Sequence, residues 1–462
     1  MALKERYDVL VVGAGPLGLA SAYHLIEEDP KLAVLVVEAR SGPGEGSMGA
    51  SNSMVRDVFS SRDNRVLAQN SIAFYRDAQE RHEELRGPVP LLDLYGYLWL
   101  LPARLHEEYQ RLSRASDAGF EAQFVTADEL RGCPGLELAP SRWYEGDEAA
   151  PPEPIVGGMF GRNCGALAPE MLARFYCDSA RARGVQFEFN ACVQRLSFEG
   201  RDEILLHERS RMPFAFQEHM RGRLRISKVT LGDGRAVYAD TVVVAGGAWS
   251  DRILAPLGVS TACSPRAQVT FSVSGPAVGG LLGWRPPVSP IDTDHGRSRL
   301  PFLILPTGAT LKPIFPQRHL WLGCVDTVAH PIGTREDPGR DGVLDFDMSR
   351  MGDREAYPTD MLPAVTPYLP RFETPEVHLE NTWGGYYNFS PDGLPVLVHE
   401  PFGVLFVGGD SGSGIMKADS LGRLVAARCL GREDARLFSG ETYRAERLSL
   451  SARAVEGERI IL

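Results

Sequence analysis

One stretch near the start of the chain, Tyr7 to Glu38, constrains the fold more than any other part of the sequence. A short apolar, β-branched run from Asp8 to Val12 predicts a buried parallel strand. Three glycines in the spacing G-x-G-x-x-G follow, then a predicted helix from Pro16 to about Glu28 and a second apolar run that ends in the acid. Strand, glycine turn, helix, strand and acid in this order predict a nucleotide-binding βαβ unit.

The glycines and the acid of this unit have distinct predicted roles. Gly13 makes the tight turn, Gly15 lets backbone amides approach a pyrophosphate, and Gly18 lets the helix pack closely on the strand. The helix N-terminus, with its unpaired N–H groups and its dipole, favours negative charge. Glu38 stands where it can accept hydrogen bonds from ribose hydroxyls. The unit therefore predicts an adenine dinucleotide and leaves FAD and NAD as alternatives.

Composition limits the class of protein. The chain has 462 residues, of which 44% are hydrophobic and 24% charged, enough for two or three domains of an ordinary globular protein. The net charge of -11 and the pI near 5.5 argue against nucleic acid or an anionic membrane surface as main partners. No apolar run approaches the roughly 20 residues that cross a bilayer. The chain also begins almost directly with the first strand, so we expect a cytoplasmic protein.

Cysteine and lysine usage narrows the chemistry further. The seven cysteines are scattered, without C-x-x-C or metal-ligand spacing, which predicts reduced thiols and no metal site. Nearly all the basic charge is arginine, a bias that a GC-rich genome and selection for guanidinium pairing explain equally well. The only lysines among the 49 basic residues are Lys4, Lys31, Lys228, Lys312 and Lys417.

Three later stretches extend the nucleotide-binding pattern. The loop from Arg40 to Phe59 is rich in glycine and serine and is long enough to lie along a ligand. Arg56 is the strong cation beside Ser47, Ser51, Asn52 and Ser53 of this loop and, from the sequence alone, suits a structural ion pair as well as a ligand. A buried strand from Thr241 to Ala245 leads into a glycine turn. Phe402 to Gly431 predicts a last buried strand, a glycine-serine turn and a helix whose N-terminus stabilises anions.

The remaining segments carry weaker signals. Alternating, proline-rich segments from Cys263 to about Leu322 predict a second, antiparallel sheet. Asn381 to Val398 is predicted to be an aromatic and glycine-rich turn segment, and the tail from Arg432 is predicted to be helical. The charged stretch Arg201 to Arg225 looks like an insertion without an assigned role. His319 and His330 are more typical of packing or surface histidines than of catalysts.

Four separated stretches together resemble the FAD-dependent D-amino-acid-oxidase-like family. They are the glycine fingerprint with Glu38, VVVAGGAWS at Val242 to Ser250, WGGYYNFSPDGLPVL at Trp383 to Leu397, and GGDSGSGIMKADSLGRLVA at Gly408 to Ala426. Within this family the chain resembles the group of sarcosine oxidase, glycine oxidase and dye-linked proline dehydrogenase. The WGGYY segment and the Ile-Ile-Leu ending also resemble the mitochondrial FAD-dependent oxidoreductase associated with assembly of respiratory complex I.

The resemblance implies an α/β plus α+β protein of two discontinuous domains. One is a Rossmann-like FAD-binding domain, and the other is a substrate-binding domain built on an antiparallel sheet. The predicted FAD-binding domain comprises residues 1–85, 157–262 and 375–462, and the predicted substrate-binding domain comprises residues 86–156 and 263–374.

The resemblance also implies non-covalent FAD. The cysteine that holds the flavin covalently in monomeric sarcosine oxidase aligns with Gly385, and no histidine lies in the 40–59 loop. The fingerprint would meet the pyrophosphate, Glu38 the ribose, and the backbone at Val193 the adenine. The full set of implied cofactor-binding residues is Gly13, Gly15, Pro16, Leu17, Gly18, Glu38, Ala39, Arg40, Ser47, Ser51, Asn52, Ser53, Val193, Gly246, Gly247, Trp249, Gly385, Gly412, Ser413, Gly414, Ile415 and Met416.

Four residues are implied to act on the substrate. Arg56 aligns with an arginine that binds the substrate carboxylate, a task that suits the bidentate guanidinium. The lysine that activates oxygen in sarcosine oxidase aligns with Trp321, so a cation that stabilises developing superoxide is missing there. This favours a dehydrogenase that passes electrons to a dye or quinone. Tyr386 and Tyr387 suit either the pocket or the core.

These features predict oxidation of a small amino acid, with a secondary amine such as proline or sarcosine favoured, to the imine by hydride transfer to flavin N5. Two alternatives stay open. One is an FAD-dependent 2-hydroxy-acid dehydrogenase, which needs a general base for the hydroxyl proton. The other is a flavin-containing assembly or scaffold protein with little turnover. The sequence leaves the substrate, the electron acceptor and the oligomeric state open.

Overall fold

The computed structural model describes residues 3–115, 119–140, 151–198, 225–286, 299–324, 348, 357–454 and 457–460. Most of the predicted insertion at 201–225, and His330, lie outside these residues. In chain order the strands are β1 (Arg6–Val12), β2 (Val34–Val37), β3 (Met54–Val55), β4 (Leu92–Asp93), β5 (Tyr97–Pro102), β6 (Ala122–Thr126), β7 (Ile155–Gly161), β8 (Gly165–Leu167), β9 (Gln186–Glu188), β10 (Val193–Phe198), β11 (Ile226–Leu231), β12 (Ala236–Val244), β13 (Ser264–Ser274), β14 (Phe302–Ile304), β15 (Ala309–Ile314), β16 (His319–Cys324), β17 (His378–Phe389), β18 (Val396–Glu400), β19 (Val404–Gly408), β20 (Asp434–Arg436) and β21 (Thr442–Arg444).

The α-helices in the described residues pack mainly around the first of the sheets. They are α1 (Pro16–Glu28), α2 (Arg62–Arg81), α3 (Ala103–Arg114), α4 (Ala127–Leu130), α5 (Pro169–Ala182), α6 (Ser250–Leu254), α7 (Pro276–Leu282), α8 (Leu362–Val365) and α9 (Ala418–Cys429). Shorter turns of 3-10 helix connect several elements, including one at Ile415–Lys417 that leads into α9.

The first eight-stranded sheet is built around the predicted βαβ unit. β1 pairs in parallel with β2 and with β12, β2 pairs in parallel with β9, and β12 pairs in parallel with β19. Val9 and Val11 of β1 pack into one hydrophobic cluster, whereas Leu10 and Val12 pack into another on the opposite face. Burial on both faces explains why the strand is apolar throughout. β10, β11 and β18 extend the sheet with antiparallel pairs.

The second eight-stranded sheet has the order β17-β13-β16-β15-β14-β5-β7-β6. Its neighbouring strands are antiparallel except for the parallel pair β14 and β5. Phe271, Leu303, Leu311 and Leu322 point to one face and form a hydrophobic core there. The opposite face is turned toward the first sheet. This arrangement confirms the predicted combination of an α/β nucleotide-binding fold with a second, antiparallel sheet.

The two sheets divide the chain much as the predicted domains do, with two differences. β7 and β17 belong to the second sheet, although the predicted boundaries at residues 157 and 375 assign most of β7 and all of β17 to the FAD-binding domain. The domain boundaries themselves stay a prediction.

Two sequence-based predictions about the last third of the chain are wrong. Half of the predicted turn segment, from Asn381 to Phe389, belongs to β17, which pairs with β13 along its whole length. The aromatic residues of this segment occupy strand positions, and the turn is confined to the residues before β18. The tail predicted to be helical contains the hairpin β20–β21, whose turn includes Gly440 at a φ of +90°. Local charge density suggested a helix, but the glycine turn decides the structure.

None of the helices in the described part of the chain is long and apolar enough to span a bilayer. The six cysteines whose side chains are described are free. The same part of the chain holds no cluster of histidine, cysteine and carboxylate side chains that could bind a metal ion.

Candidate active site

A cavity of about 600 Å³ lies between the two large sheets. The residues after β1, β2, β12 and β19 form one wall, at the carboxyl ends of parallel strands. Ligands of open α/β sheets bind at this edge. The other wall comes from the second sheet, through residues of β13, β14, β15 and β17. The volume falls in the range typical of sites for small molecules and cofactors.

The turn after β1 is shaped for close approach to a ligand. Gly13 has a φ of +102°, and its N–H donates to the Val37 carbonyl at 2.8 Å. A Cβ atom on Gly18 would lie 2.0 Å from the Gly13 carbonyl oxygen, so α1 packs against the turn only because that position lacks a side chain. A Cβ atom on Gly15 would meet no atom within 4 Å, which leaves open space at the start of α1.

The groups around this open space suit an adenine dinucleotide. No side chain caps the N-terminus of α1, so its first N–H groups face the cavity as donors for an anion. The Glu38 carboxylate is held in place by the N–H groups of Ala14, at 2.7 Å, and Arg40, at 2.9 Å. A fixed acid beside a pyrophosphate site matches the requirement for binding a ribose.

Most of the residues implied by the resemblance line this one cavity, although Gly18, Ser413 and Gly385 do not. Gly18 is buried in the turn, and the Ser413 hydroxyl donates to the Asp410 carbonyl. Gly385 lines a smaller adjoining cavity. The implied residues that line the main cavity are Gly13, Gly15, Pro16, Leu17, Glu38, Ala39, Arg40, Ser47, Ser51, Asn52, Ser53, Val193, Gly246, Gly247, Trp249, Tyr386, Tyr387, Gly412, Gly414, Ile415 and Met416.

Comparison with known proteins agrees with this geometry. The family described as FAD dependent oxidoreductase, DAO, matches residues 8–428. The chain belongs to the DAO family. It is 25% identical over 437 residues to the FAD-dependent oxidoreductase domain-containing protein 1 of Bos taurus, covering 92% of this chain and 82% of that protein. It is 23% identical over 451 residues to the glycine oxidase of Bacillus subtilis, covering 93% of this chain and 95% of the oxidase.

The fold of the DAO family is also found among solved structures. The L-proline dehydrogenase of P. horikoshii superposes with a TM-score of 0.66 at 18% identity, covering 97% of both chains. The protein is therefore an FAD-dependent oxidoreductase. FAD would fit the cavity: the N-terminus of α1 would hold its pyrophosphate and Glu38 its ribose, and we call the part of the cavity at the second sheet the flavin end.

Two titratable residues, Asp410 and Tyr387, line the flavin end of the cavity. Asp410, at the end of β19, lines the cavity and accepts a hydrogen bond from the N–H of Gly412 at 3.2 Å. Burial raises the pKa of Asp410, against the lowering effect of Lys417. Burial also raises the pKa of Tyr387 to about 12, so its hydroxyl remains a neutral donor. The sequence-based analysis did not assign a role to Asp410, which stands inside the GGDSGSG turn.

Arg56 does not line the cavity. Its side chain is 3% exposed, and Nη1 donates to the carbonyls of Val58 and Ile460, both at 3.1 Å. The guanidinium lies 4.2 Å from the centre of the Phe59 ring. Burial lowers the Arg56 pKa, and the nearby carboxylate of Glu458 opposes that shift. These contacts attach the C-terminal segment to the 40–59 loop and give no support to the implied role of a substrate ligand.

Trp321 also lies outside the cavity wall, in edge-to-face contact with Trp383. The neighbouring strand, however, supplies a cation. Lys312 is the cross-strand partner of Trp321, and its Nζ lies 4.7 Å from the centre of that ring. The same Nζ donates to the Asn52 carbonyl at 2.5 Å. The premise that this place lacks a cation is therefore wrong, because residue-by-residue alignment overlooks a side chain that reaches across from the adjacent strand.

Burial acts on the two interior lysines in the same direction. It lowers the pKa of Lys312 to about 8 and that of Lys417 to about 7. Lys417 lies behind the flavin turn, where Nζ donates to Asn64 Oδ1 at 2.6 Å and to Ser413 Oγ at 2.5 Å. It therefore positions the turn and does not line the cavity.

Proposed function

We propose that the protein oxidises a small amino acid to the imine, with a secondary amine such as proline or sarcosine favoured. When bound, FAD supplies the redox chemistry by accepting a hydride at N5. The observation that carries the proposal is the continuity of the cavity. It runs from the dinucleotide turn to a sheet wall where Phe302, Gln268, Thr310 and Tyr387 present apolar, amide and hydroxyl groups. Such a wall suits a small molecule with few polar groups.

The residues at the flavin end fit amine oxidation. The amine must be unprotonated before a hydride can leave the adjacent carbon, and the buried Asp410 carboxylate, whose pKa is raised, can accept that proton. The neutral Tyr387 hydroxyl can donate a hydrogen bond to the substrate. Tyr386 packs edge-to-face on Trp249, with ring centres 5.4 Å apart, and shapes the wall.

The named relatives support the class of substrate. Glycine oxidase and L-proline dehydrogenase are both named for reactions of α-amino acids. The implied attachment cysteine is replaced by Gly385, which supports non-covalent FAD. Cytoplasmic location stays a prediction.

We further propose an electron acceptor other than oxygen, such as a dye or quinone. The resemblance places Trp321 where the oxygen-activating lysine would stand, and only a cation in contact with the flavin would favour oxygen. Lys312 supplies positive charge nearby, but its Nζ is engaged by the Asn52 carbonyl and the Trp321 ring. Lys312 does not line the cavity, so its Nζ is not placed to contact oxygen at the flavin, although its charge still acts on groups at the sheet wall.

The test is anaerobic reduction of the purified holoenzyme, followed by admission of air. The candidate substrates are proline, sarcosine, N,N-dimethylglycine, glycine, D-alanine and 2-hydroxyglutarate, with free FAD as the control. We expect a secondary amino acid to bleach the visible flavin band and the colour to return slowly in air. Rapid return would overturn the proposed acceptor while leaving the proposed substrate class intact.

A 2-hydroxy-acid dehydrogenase is the second candidate, because Asp410 supplies the general base that such an enzyme needs. None of the described residues that line the cavity is a histidine, and His319 instead bonds to Ser272 at 3.1 Å. Bleaching by 2-hydroxyglutarate alone would select this function. Bleaching by none of the candidates would favour the low-turnover assembly protein.

A further inference from the structure

Three polar side chains, Asn52, Gln268 and Thr310, meet on the cavity-facing side of the second sheet; we call them the amide floor. All three line the cavity. A Cβ atom on Gly323 would lie 3.2 Å from Gln268 Nε2, 3.2 Å from Thr310 Oγ1 and 3.3 Å from Asn52 Nδ2. The strand register brings them together, since Thr310 is paired with Gly323 and Gln268 with Gly385. Gly323 leaves the space that these side chains occupy.

The hydrogen bonds within the amide floor determine what each group offers a ligand. Thr310 Oγ1 donates to the Gly323 carbonyl at 3.0 Å. Asn52 Oδ1 accepts from Thr270 Oγ1 at 3.3 Å, which leaves Nδ2 as the group that Asn52 presents. Gln268 is 7% exposed, and its buried Oε1 accepts no hydrogen bond from the described residues. Its amide N–H group also bonds to the Tyr387 hydroxyl, so one Nε2 hydrogen is left for a ligand. A buried acceptor without a donor is unfavourable, so a ligand that brings an N–H or O–H is stabilised there.

A positive charge lies beside the amide floor. The Lys312 ammonium donates to the Asn52 carbonyl, on the strand that also carries Thr310. Two arginines line the cavity, both at the dinucleotide end. Arg40 lies two residues after Glu38, and Arg252 lies in α6, after the glycine turn that follows β12. Arg56 is occupied by backbone carbonyls. The amide floor therefore combines neutral donors, one open acceptor and a buried counter-charge.

We propose that Gln268 recognises both polar groups of an α-amino acid. Oε1 accepts the amine N–H, while Nε2 and Asn52 Nδ2 donate to the carboxylate, with Lys312 as the counter-charge. A carboxamide carries a donor beside an acceptor, and an uncharged α-amino group beside a carboxylate is its complement. This inference rests on the proposed function and deepens it. It selects primary and secondary amino acids over tertiary ones, whose unprotonated nitrogen has no N–H.

The first test measures binding and needs no turnover. Pyrrole-2-carboxylate and furan-2-carboxylate have nearly the same shape, but only the pyrrole offers an N–H. Each is titrated into the holoenzyme while the flavin absorbance is followed. We expect the pyrrole to bind about tenfold or more tightly than the furan, and Gln268→Met to abolish that preference. Gln123→Met, the same change on β6 of the same sheet and outside the cavity wall, should leave it unchanged.

A second variant separates the two contacts of Gln268. Gln268→Glu keeps the size and the acceptor but loses the N–H donor and adds negative charge. We expect both carboxylates to bind at least tenfold more weakly to this variant, with the preference for the pyrrole retained. Equal affinity of the wild-type enzyme for the two rings, or an unchanged preference in Gln268→Met, overturns the inference.

Substrate kinetics distinguish a failure of this inference from a failure of the proposed function. Sarcosine and N,N-dimethylglycine differ by one methyl group and one N–H. We expect the wild-type enzyme to favour sarcosine in kcat/KM, and Gln268→Met to bring the ratio close to one. A preference for the pyrrole without oxidation of any amino acid supports the recognition site and rejects the function. Oxidation of both substrates alike, with equal binding of the two rings, rejects the site and keeps the function.

Discussion

The two walls of the cavity present a ligand with different kinds of groups. At the dinucleotide end these are the backbone at Gly13 and the open space at Gly15, with Gly18 buried beneath them where α1 packs on the turn. At the sheet wall they are side chains such as Asn52 and Gln268, which come from separate segments and meet only because the strands pair in one register. The first wall therefore depends on where side chains are absent. The second depends on the identity of each side chain that is present.

We expect the largest effect from a substitution of Gly18, which packs α1 on the turn at the dinucleotide end. A Cβ atom there would lie 2.0 Å from the Gly13 carbonyl oxygen, so Gly18→Ala must displace either the turn or α1. We expect the variant to retain less than about a tenth of the wild-type flavin content, measured from the visible absorbance of the purified protein. Gly87→Ala is the control, because its added methyl group meets no atom within 4 Å. Full flavin content in Gly18→Ala would show that the turn is not the cofactor wall.

A substitution of Arg56 tests whether this charged residue of the loop binds the ligand or stabilises the fold. Because Arg56 bonds to the Val58 and Ile460 carbonyls and balances the buried Glu458, we expect Arg56→Met to lower the unfolding free energy by about 2–4 kcal/mol. Affinity for furan-2-carboxylate should change less than about threefold. Urea unfolding and ligand titration measure the two effects. Lost affinity with unchanged stability would restore Arg56 as the carboxylate ligand.

Titration of Lys312 should make the affinity of the sheet wall for a carboxylate depend on pH. Burial lowers its pKa to about 8, against the raising effect of Glu170. The protonated ammonium attracts a carboxylate and the neutral amine does not. Affinity for furan-2-carboxylate should therefore fall about tenfold as the pH rises from about 7 to about 9. Lys312→Met should bind weakly at both values, and an unchanged pH profile in that variant would assign the titration to another group.

Gly323 should give the smallest effect. The methyl group of Gly323→Ala would lie 3.2–3.3 Å from the three side chains of the amide floor, which can yield by a few tenths of an ångström. We expect about threefold weaker binding of pyrrole-2-carboxylate and unchanged flavin content. A loss of flavin would show that the amide floor contacts the cofactor and not the substrate.

The two walls also differ in how far sequence predicts them. The β1–α1–β2 unit was predictable because each of its signals is local: an apolar run, fixed glycine spacing, and an acid after the second strand. The turns after β12 and β19 were predictable for the same reason. The sequence pattern could not show that Gln268 lies beside Thr310 and Lys312, since that depends on the register of β13, β15 and β16.

The errors have the same physical origin. Arg56 was assigned by position in an alignment, but its partners are carbonyls of Val58 and Ile460, and the second comes from the far end of the chain. The glycines and aromatics of β17 suggested a turn, whereas pairing with β13 along the full strand holds the segment extended. In both cases a contact distant in sequence overrides the local signal.

The contact between the loop and the C-terminal segment has a consequence for the order of events during synthesis. The bond from Arg56 to the Ile460 carbonyl joins residues 404 positions apart, and the Glu458 carboxylate accepts a bond from the Ser60 N–H 398 positions away. A nascent chain therefore leaves Arg56 and Ser60 without these partners until residues 458–460 have been made and have emerged from the ribosome. We expect the 40–59 loop to become ordered only after that point, so the cofactor site closes late in synthesis.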